Sequence, residues 1–181
     1  MEVDLSKYQN QWFIPASKGR ILLWLFVSAI FFRSSLPVPS VIKVVILRIF
    51  GSKIRQGVVI KPSVHIKYPW KLRIGKNSWI GENVWIDNLA NIRVGDNCCL
   101  SQGSYLLTGN HDFTSRSFDL RISEINIENE VWVGAKSVVC PGVTLKRGSI
   151  LTVGSITTKD MDVLGIYQGN PAMKIKQRII S

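Results

Sequence analysis

Aliphatic residues return every six positions along most of this chain. One series runs Ile54, Ile60, Ile66, Leu72; a second Ile74, Ile80, Ile86, Ile92; a third Val94, Leu100, Leu106; and after a break a fourth runs Ile127, Val133, Val139, Leu145, Leu151. Four positions after nearly every one stands a small or β-branched residue, among them Val58, Ser78, Cys98, Ser137 and Ser155, with Trp70 the exception. Six is not a multiple of 3.6, so a helix would smear these residues around its surface. Six is a multiple of two, so one strand face can hold them. Gly, Asn or Pro recurs between them (Gly75, Asn77, Gly81, Asn83, Gly95, Asn97, Pro141, Gly142), too often for long straight strands. The pattern predicts short strands separated by bends, with three hexads closing one triangular coil and both repeated positions pointing inward. Gly and Asn tolerate the left-handed backbone that such corners need.

The register slips by two residues at Leu72/Ile74 and at Ile92/Val94, which makes coils of 20 residues where 18 is minimal and predicts a small bulge at one corner. From Leu106 to Ile127 is 21 residues where a hexad step is six, so about 15 leave the coil as a loop at about 107–122. A long excursion from a compact repeat is usually functional. This one carries His111, within Gly109-Asn-His-Asp-Phe113.

At 181 residues the chain suits one domain with a sizeable core. Its 46% hydrophobic content excludes a disordered chain. The net charge of +11 is unevenly spread: residues 1–76 hold 13 Lys/Arg against Glu2 and Asp4, whereas residues 77–181 hold ten of each sign. A basic solvated face and attraction to an anionic lipid or lipid-carried glycan both fit this asymmetry. Nucleic acid fits poorly, because no nucleic-acid-binding module accompanies the charge. Cys98, Cys99 and Cys140 are odd in number and do not form a disulfide framework, so a cytoplasmic, reducing setting is expected. His65 and His111 are the only histidines, too few for a three-histidine zinc site, and no Cys-x-x-Cys pair is present, so no metal is expected.

Residues 1–50 form a separate basic and apolar segment. The apolar run 21–32 is too short to span a membrane, and Pro37 and Pro39 divide it from a second run, 41–50. Two short helices are expected. They either pack on the main domain or lie in a membrane interface with basic residues at the headgroups, giving peripheral contact with the inner face of a membrane.

Ile80-Gly-Glu-Asn-Val-Trp-Ile-Asp87, Val94-Gly-Asp-Asn97, Thr108-Gly-Asn-His-Asp112, the stretch from Trp132 to Val143, Gly154-Ser-Ile-Thr-Thr-Lys-Asp160 and Gly169-Asn-Pro-Ala172 resemble the hexapeptide-repeat acyltransferases. The branch most similar is that of the colanic-acid-biosynthesis acetyltransferases, relatives of the maltose and galactoside acetyltransferases. The broad resemblance covers residues 54–175, and the narrower one begins near Asp4-Leu-Ser-Lys-Tyr8. It implies a mainly β protein: a left-handed parallel β-helix at 51–165, with short N-terminal helices, a protruding catalytic loop, and a tail at 166–181. It also implies a homotrimer with active sites between subunits.

The resemblance further implies an O-acetyltransferase that moves the acetyl group of acetyl-CoA to a sugar hydroxyl, on an exopolysaccharide precursor or lipid-linked oligosaccharide. An alcohol is a weak nucleophile until its proton is taken, and imidazole has the pKa for that task, which points to His111. Asp87 and Asn88 are the implied His-orienting or acceptor-binding residues. Gly134, Ala135, Val153, Gly154, Thr158 and Lys159 are the implied coenzyme groove. Relatives carry a basic residue directly after Asn-Pro-Ala; Met173 stands there in this chain, and Lys174 is the candidate substitute. Two rivals are a small-molecule acetyltransferase acting on xenobiotics or serine, and a non-enzymatic membrane-attached scaffold.

Overall fold

A computed structural model describes residues 2–180. Two helices, α1 (Lys18–Phe31) and α2 (Ser40–Ile49), precede a stack of triangular coils. The first coil is β1 (Lys53–Ile54), β2 (Val59–Ile60) and β3 (His65–Ile66). The second is β4 (Leu72–Ile74), β5 (Trp79–Ile80) and β6 (Trp85–Asp87), and the third β7 (Ile92–Val94), β8 (Cys99–Leu100) and β9 (Tyr105–Leu107). The chain then leaves the stack as an antiparallel hairpin, β10 (Gly109–His111) and β11 (Leu120–Ile122). It returns for β12 (Ile125–Ile127), β13 (Trp132–Val133) and β14 (Val138–Val139), then β15 (Thr144–Leu145), β16 (Ile150–Leu151) and β17 (Ile156–Thr157). β18 (Gly165–Gly169) pairs parallel with β16, so the coil continues past the expected boundary at 165, and β19 (Ala172–Gln177) folds back on β18.

Strands one coil apart pair in parallel and form three flat faces: A (β1, β4, β7, β12, β15), B (β2, β5, β8, β13, β16, β18) and C (β3, β6, β9, β14, β17). On face A the inward aliphatics Ile54, Ile74, Val94, Ile127 and Leu145 lie in register. All are buried, as are the small residues four positions on, such as Ser78, Ser137 and Ser155. Each coil alone could not bury its aliphatics; stacking does so continuously. The expected corner bulge is instead a longer face A, where β4, β7 and β12 are three residues long with both ends buried. Because β12 keeps that longer form, the step Val94–Ile127 is 33 residues against 20 for Ile74–Val94, and the excursion adds 33 − 20 = 13 residues to its coil.

Most corners follow one rule. The third residue after the inward aliphatic has positive φ at Gly57, Ser63, Asn77, Asn83, Asn97, Gly103, Glu130, Lys136, Gly142, Gly148 and Gly154; the corners that follow Ile66, Ile86 and Leu106 on face C turn without it. A non-glycine residue there costs roughly 1–2 kcal/mol, which is why Gly and Asn dominate.

A stack of coils has an open end whose strand edges need partners. Here the helices close it. Trp24 Nε1 donates to the Ile66 carbonyl at 2.9 Å on face C. On face B, Lys43 Nζ donates to the Ile60 and Lys61 carbonyls at 3.4 and 2.8 Å. On face A, Arg48 donates through Nε and a terminal nitrogen to the Ile54 carbonyl at 2.9 and 2.7 Å. The carbonyls served, of Ile54, Ile60 and Ile66, hold equivalent positions of the first coil, and on face B Ser40 Oγ adds a second donor to the Ile60 carbonyl at 3.3 Å. Lys43 is fully buried, and burial pushes its ammonium below its ordinary pKa. Two of the basic residues in this segment, buried Lys43 and exposed Arg48, therefore spend their donors on strand-edge carbonyls.

Candidate active site

The hairpin grows from the edge between faces C and A, and its root is fixed to the coil beneath. Thr108 is fully buried, its Oγ1 donating to the Asp87 carbonyl at 2.7 Å and accepting from the Ala90 N–H at 3.0 Å. A Cβ on Gly109 would stand 2.4 Å from Leu89 Cδ1, so a larger residue there would displace the Leu89 side chain that packs against the hairpin root. Across the hairpin, Asp112 pairs with Arg121 and accepts from Thr114 N and Oγ1. These contacts, Thr114 first, hold its carboxyl below the usual range. The Asp112 carboxylate is thus committed to the hairpin.

His111 ends β10, half-buried. Its Nδ1 lies 2.9 Å from the Phe118 carbonyl, and the Phe118 ring stacks on the imidazole at 4.4 Å with 11° between planes. A carbonyl oxygen can only accept, so Nδ1 carries the proton, and in the neutral ring the Nε2 lone pair is free. Phe118 achieves this with φ +52°, a strained conformation for an aromatic residue. Tyr8 approaches the imidazole at 5.7 Å, and the Asp4 N–H bonds the Arg116 carbonyl at 2.9 Å, so the N-terminal segment lies on the hairpin.

The other expected site residues are placed as follows. Asp87 is buried on β6, paired with Lys67 Nζ at 2.9 Å and approached by the Tyr105 hydroxyl at 3.4 Å. Asn88 is fully buried and clasps the Tyr68 backbone, accepting from its N–H at 2.9 Å and donating to its carbonyl at 2.6 Å. Neither holds His111 in the protomer; the Phe118 carbonyl does. Phe118 and Tyr8 were missed because the hexad rule governs neither hairpin nor N-terminal segment, although Asp4–Tyr8 lies inside the stretch of closer resemblance.

Gly134, Ala135 and Val153 line a groove of about 340 Å³ on face B near its edge with face C, together with Trp132, Thr152 and Ser101. A Cβ on Gly134 would meet Val153 N at 2.6 Å, so this glycine serves coil-to-coil approach rather than ligand approach. Gly154 has open space around it and is required by its φ of +67°. Thr158 and Lys159 are exposed one edge further, at the C/A edge two coils beyond the hairpin root. Lys174 lies on β19 and pairs with Asp162 at 3.3 Å, so its charge is partly matched within the chain. No group of metal-ligating side chains occurs among the described residues.

Comparison with known proteins bears on this architecture. The family pattern described as the hexapeptide repeat of succinyl-transferase matches residues 71–108 and 124–159, stopping on either side of the hairpin. The Escherichia coli strain K12 protein named "Putative colanic acid biosynthesis acetyltransferase WcaF" is 38% identical over 160 residues, 88% of each chain. The chain belongs to the hexapeptide-repeat acyltransferase family, whose fold is the left-handed parallel β-helix. Among solved structures, a maltose O-acetyltransferase from Clostridium difficile 630 superposes with a TM-score of 0.79 at 23% identity, covering 90% of this chain and 88% of that one. A hexapeptide-repeat acetyltransferase from Vibrio cholerae complexed with acetyl coenzyme A gives 0.75 at 21% identity, covering 90% and 85%.

Proposed function

We propose that the protein transfers the acetyl group of acetyl-CoA to a hydroxyl of a sugar used in exopolysaccharide assembly, with His111 as general base. The observation that carries the reading is the locked tautomer of His111, which leaves Nε2 as a free acceptor at the end of β10 in a well-anchored hairpin. Nε2 takes the proton of the acceptor hydroxyl as its oxygen attacks the thioester carbonyl, and the imidazolium returns that proton to the departing thiolate. The coenzyme supplies the activated thioester. The face B groove suits its pantetheine arm, with Gly134, Ala135 and Val153 among the residues that line it. Gly154, Thr158 and Lys159 would extend that path, and Lys174 would meet the nucleotide end if it exchanged Asp162 for phosphate. Asp87 would contact the acceptor, whereas Asn88 acts through the backbone it clasps.

The active site is completed by a second copy of the chain, in a homotrimer. The groove lies on face B, whereas His111 rises from the C/A edge, with the whole of face C between them. The five residue steps from Val153 to Thr158 alone span on the order of 15 Å. Face B also presents an outward column containing Trp79 and Trp132, respectively 59% and 48% exposed, an apolar surface suited to a neighbouring copy.

The helices support a further reading, peripheral contact with an anionic membrane. Their inner sides close the stack, while Leu22, Leu23, Phe26, Val41, Val45 and Ile49 face outward, with Lys18, Arg33 and Lys53 exposed around them. No helix among the described residues is long and apolar enough to cross a membrane.

An acetyl-transfer screen against nucleotide sugars and lipid-linked saccharides, read by mass spectrometry, tests the proposal. A sugar product that gains one acetyl group supports it; acetylation of serine or xenobiotics alone, or failure to bind CoA, would overturn it.

A further inference from the structure

A cavity of about 320 Å³ opens between α1 and face C at the first two coils. Ile21 and Leu25 form its apolar wall, and Arg33, His65, Lys67 and Asp87 its polar one. Lys67 and Asp87 neutralise each other at 2.9 Å. Burial, and then the neighbouring Arg33, hold His65 below its ordinary pKa and so neutral at pH 7. The Arg33 side chain has no hydrogen bond or ion pair among the described residues, which leaves one uncompensated cation. Trp85, also in the wall, is 48% exposed, with its ring flanked by His65 and Tyr105. The apolar wall runs on through Leu22 and Phe26, 69% and 67% exposed, to the outer surface of α1.

These surroundings join, around one opening, an anion-seeking group, an aromatic face with paired polar side chains, and an apolar wall that adjoins the exposed side of α1. A free sugar would leave Arg33 and the apolar wall unused, and a bare phosphate would leave Trp85 and the apolar wall unused. We propose that the cavity seats the headgroup of a lipid-carried saccharide: phosphate against Arg33, sugar against Trp85 and Asp87, and the lipid chain along Leu22, Leu25 and Phe26. This deepens the sugar-acetyltransferase reading, on which it rests, by choosing the lipid-linked form of the acceptor.

The test is calorimetric titration of the full chain with decyl phosphate below its micelle concentration, beside inorganic phosphate and decyl glucoside. Decyl phosphate should bind at least about tenfold more tightly than either. Arg33→Gln should weaken it about tenfold or more, the scale of a lost charge-assisted hydrogen bond. Lys61→Gln, an exposed cation outside the cavity, should change it less than about twofold. Equal effects of the two variants, or inorganic phosphate binding as tightly as decyl phosphate, would overturn the assignment. A CoA titration separates the two claims: CoA binding without decyl phosphate binding sinks the cavity proposal alone, whereas absence of CoA binding sinks the acetyltransferase reading.

Discussion

Phe118 holds His111 by two of its parts at once, its carbonyl 2.9 Å from Nδ1 and its ring stacked 4.4 Å above the imidazole. The carbonyl fixes which nitrogen carries the proton; the ring fixes the plane. Both depend on the left-handed backbone at Phe118.

Replacing Phe118 separates these roles. Phe118→Ala and Phe118→Gly both lose the stack and should lower kcat about tenfold, with little change in the KM for acetyl-CoA. Glycine adopts positive φ freely, so the Gly variant should be the more stable of the two by roughly 1 kcal/mol. Steady-state kinetics and thermal melts check both, and wild-type kcat in the Ala variant would show that the ring has no part.

The cap side chains should matter for stability rather than for chemistry. Lys43→Met leaves the Lys61 carbonyl, and Arg48→Met the Ile54 carbonyl, without a donor, each a loss of about 1–3 kcal/mol. The Lys43 variant should sit at the lower end, because it also removes a buried ammonium. Denaturant unfolding measures the difference.

The coil was readable from the sequence because most hexads obey one packing rule: an aliphatic such as Ile80 inward, a small residue such as Val84 inward, and a left-handed residue such as Asn83 between them. That rule predicts burial and corners but says nothing of residues off the coil. It therefore marked the excursion and its histidine, yet could not reveal that the excursion is a hairpin or that Phe118 orients the ring. The capping role of Lys43 and Arg48 was not legible, since no periodicity identifies which basic residue meets an open strand edge. Asp87 and Asn88 came from resemblance alone, and in the protomer their polar atoms serve Lys67 and Tyr68.

The two glycines of the groove should respond differently. Gly134→Ala places a methyl 2.6 Å from Val153 N in the next coil and should cost about 3 kcal/mol, because two backbones must part. Gly154→Ala meets nothing and should cost only the roughly 1 kcal/mol of a left-handed alanine. Comparable losses in thermal melts would contradict this distinction.

Cys98 should be inert in the folded protein. Burial pushes its thiol up to about 11, and Sγ lies 2.9 Å from the Glu128 carbonyl. At pH 8 iodoacetamide should modify the half-buried Cys99 well before Cys98. A raised folded pKa contributes stability that is present below the unfolded value and lost as pH climbs through the folded one. Stability should therefore fall between about pH 9 and 11, and Cys98→Ala should flatten that part of the profile. Tyr105, pushed up to about 12, would prolong the fall at still higher pH.

The turnover number of His111→Ala is the most direct measurement, taken with acetyl-CoA and an accepted sugar. Loss of the base should lower kcat by roughly 10²–10⁴-fold, with coenzyme affinity and oligomeric state unchanged. A variant that assembles, binds CoA and still turns over near the wild-type rate would contradict the account.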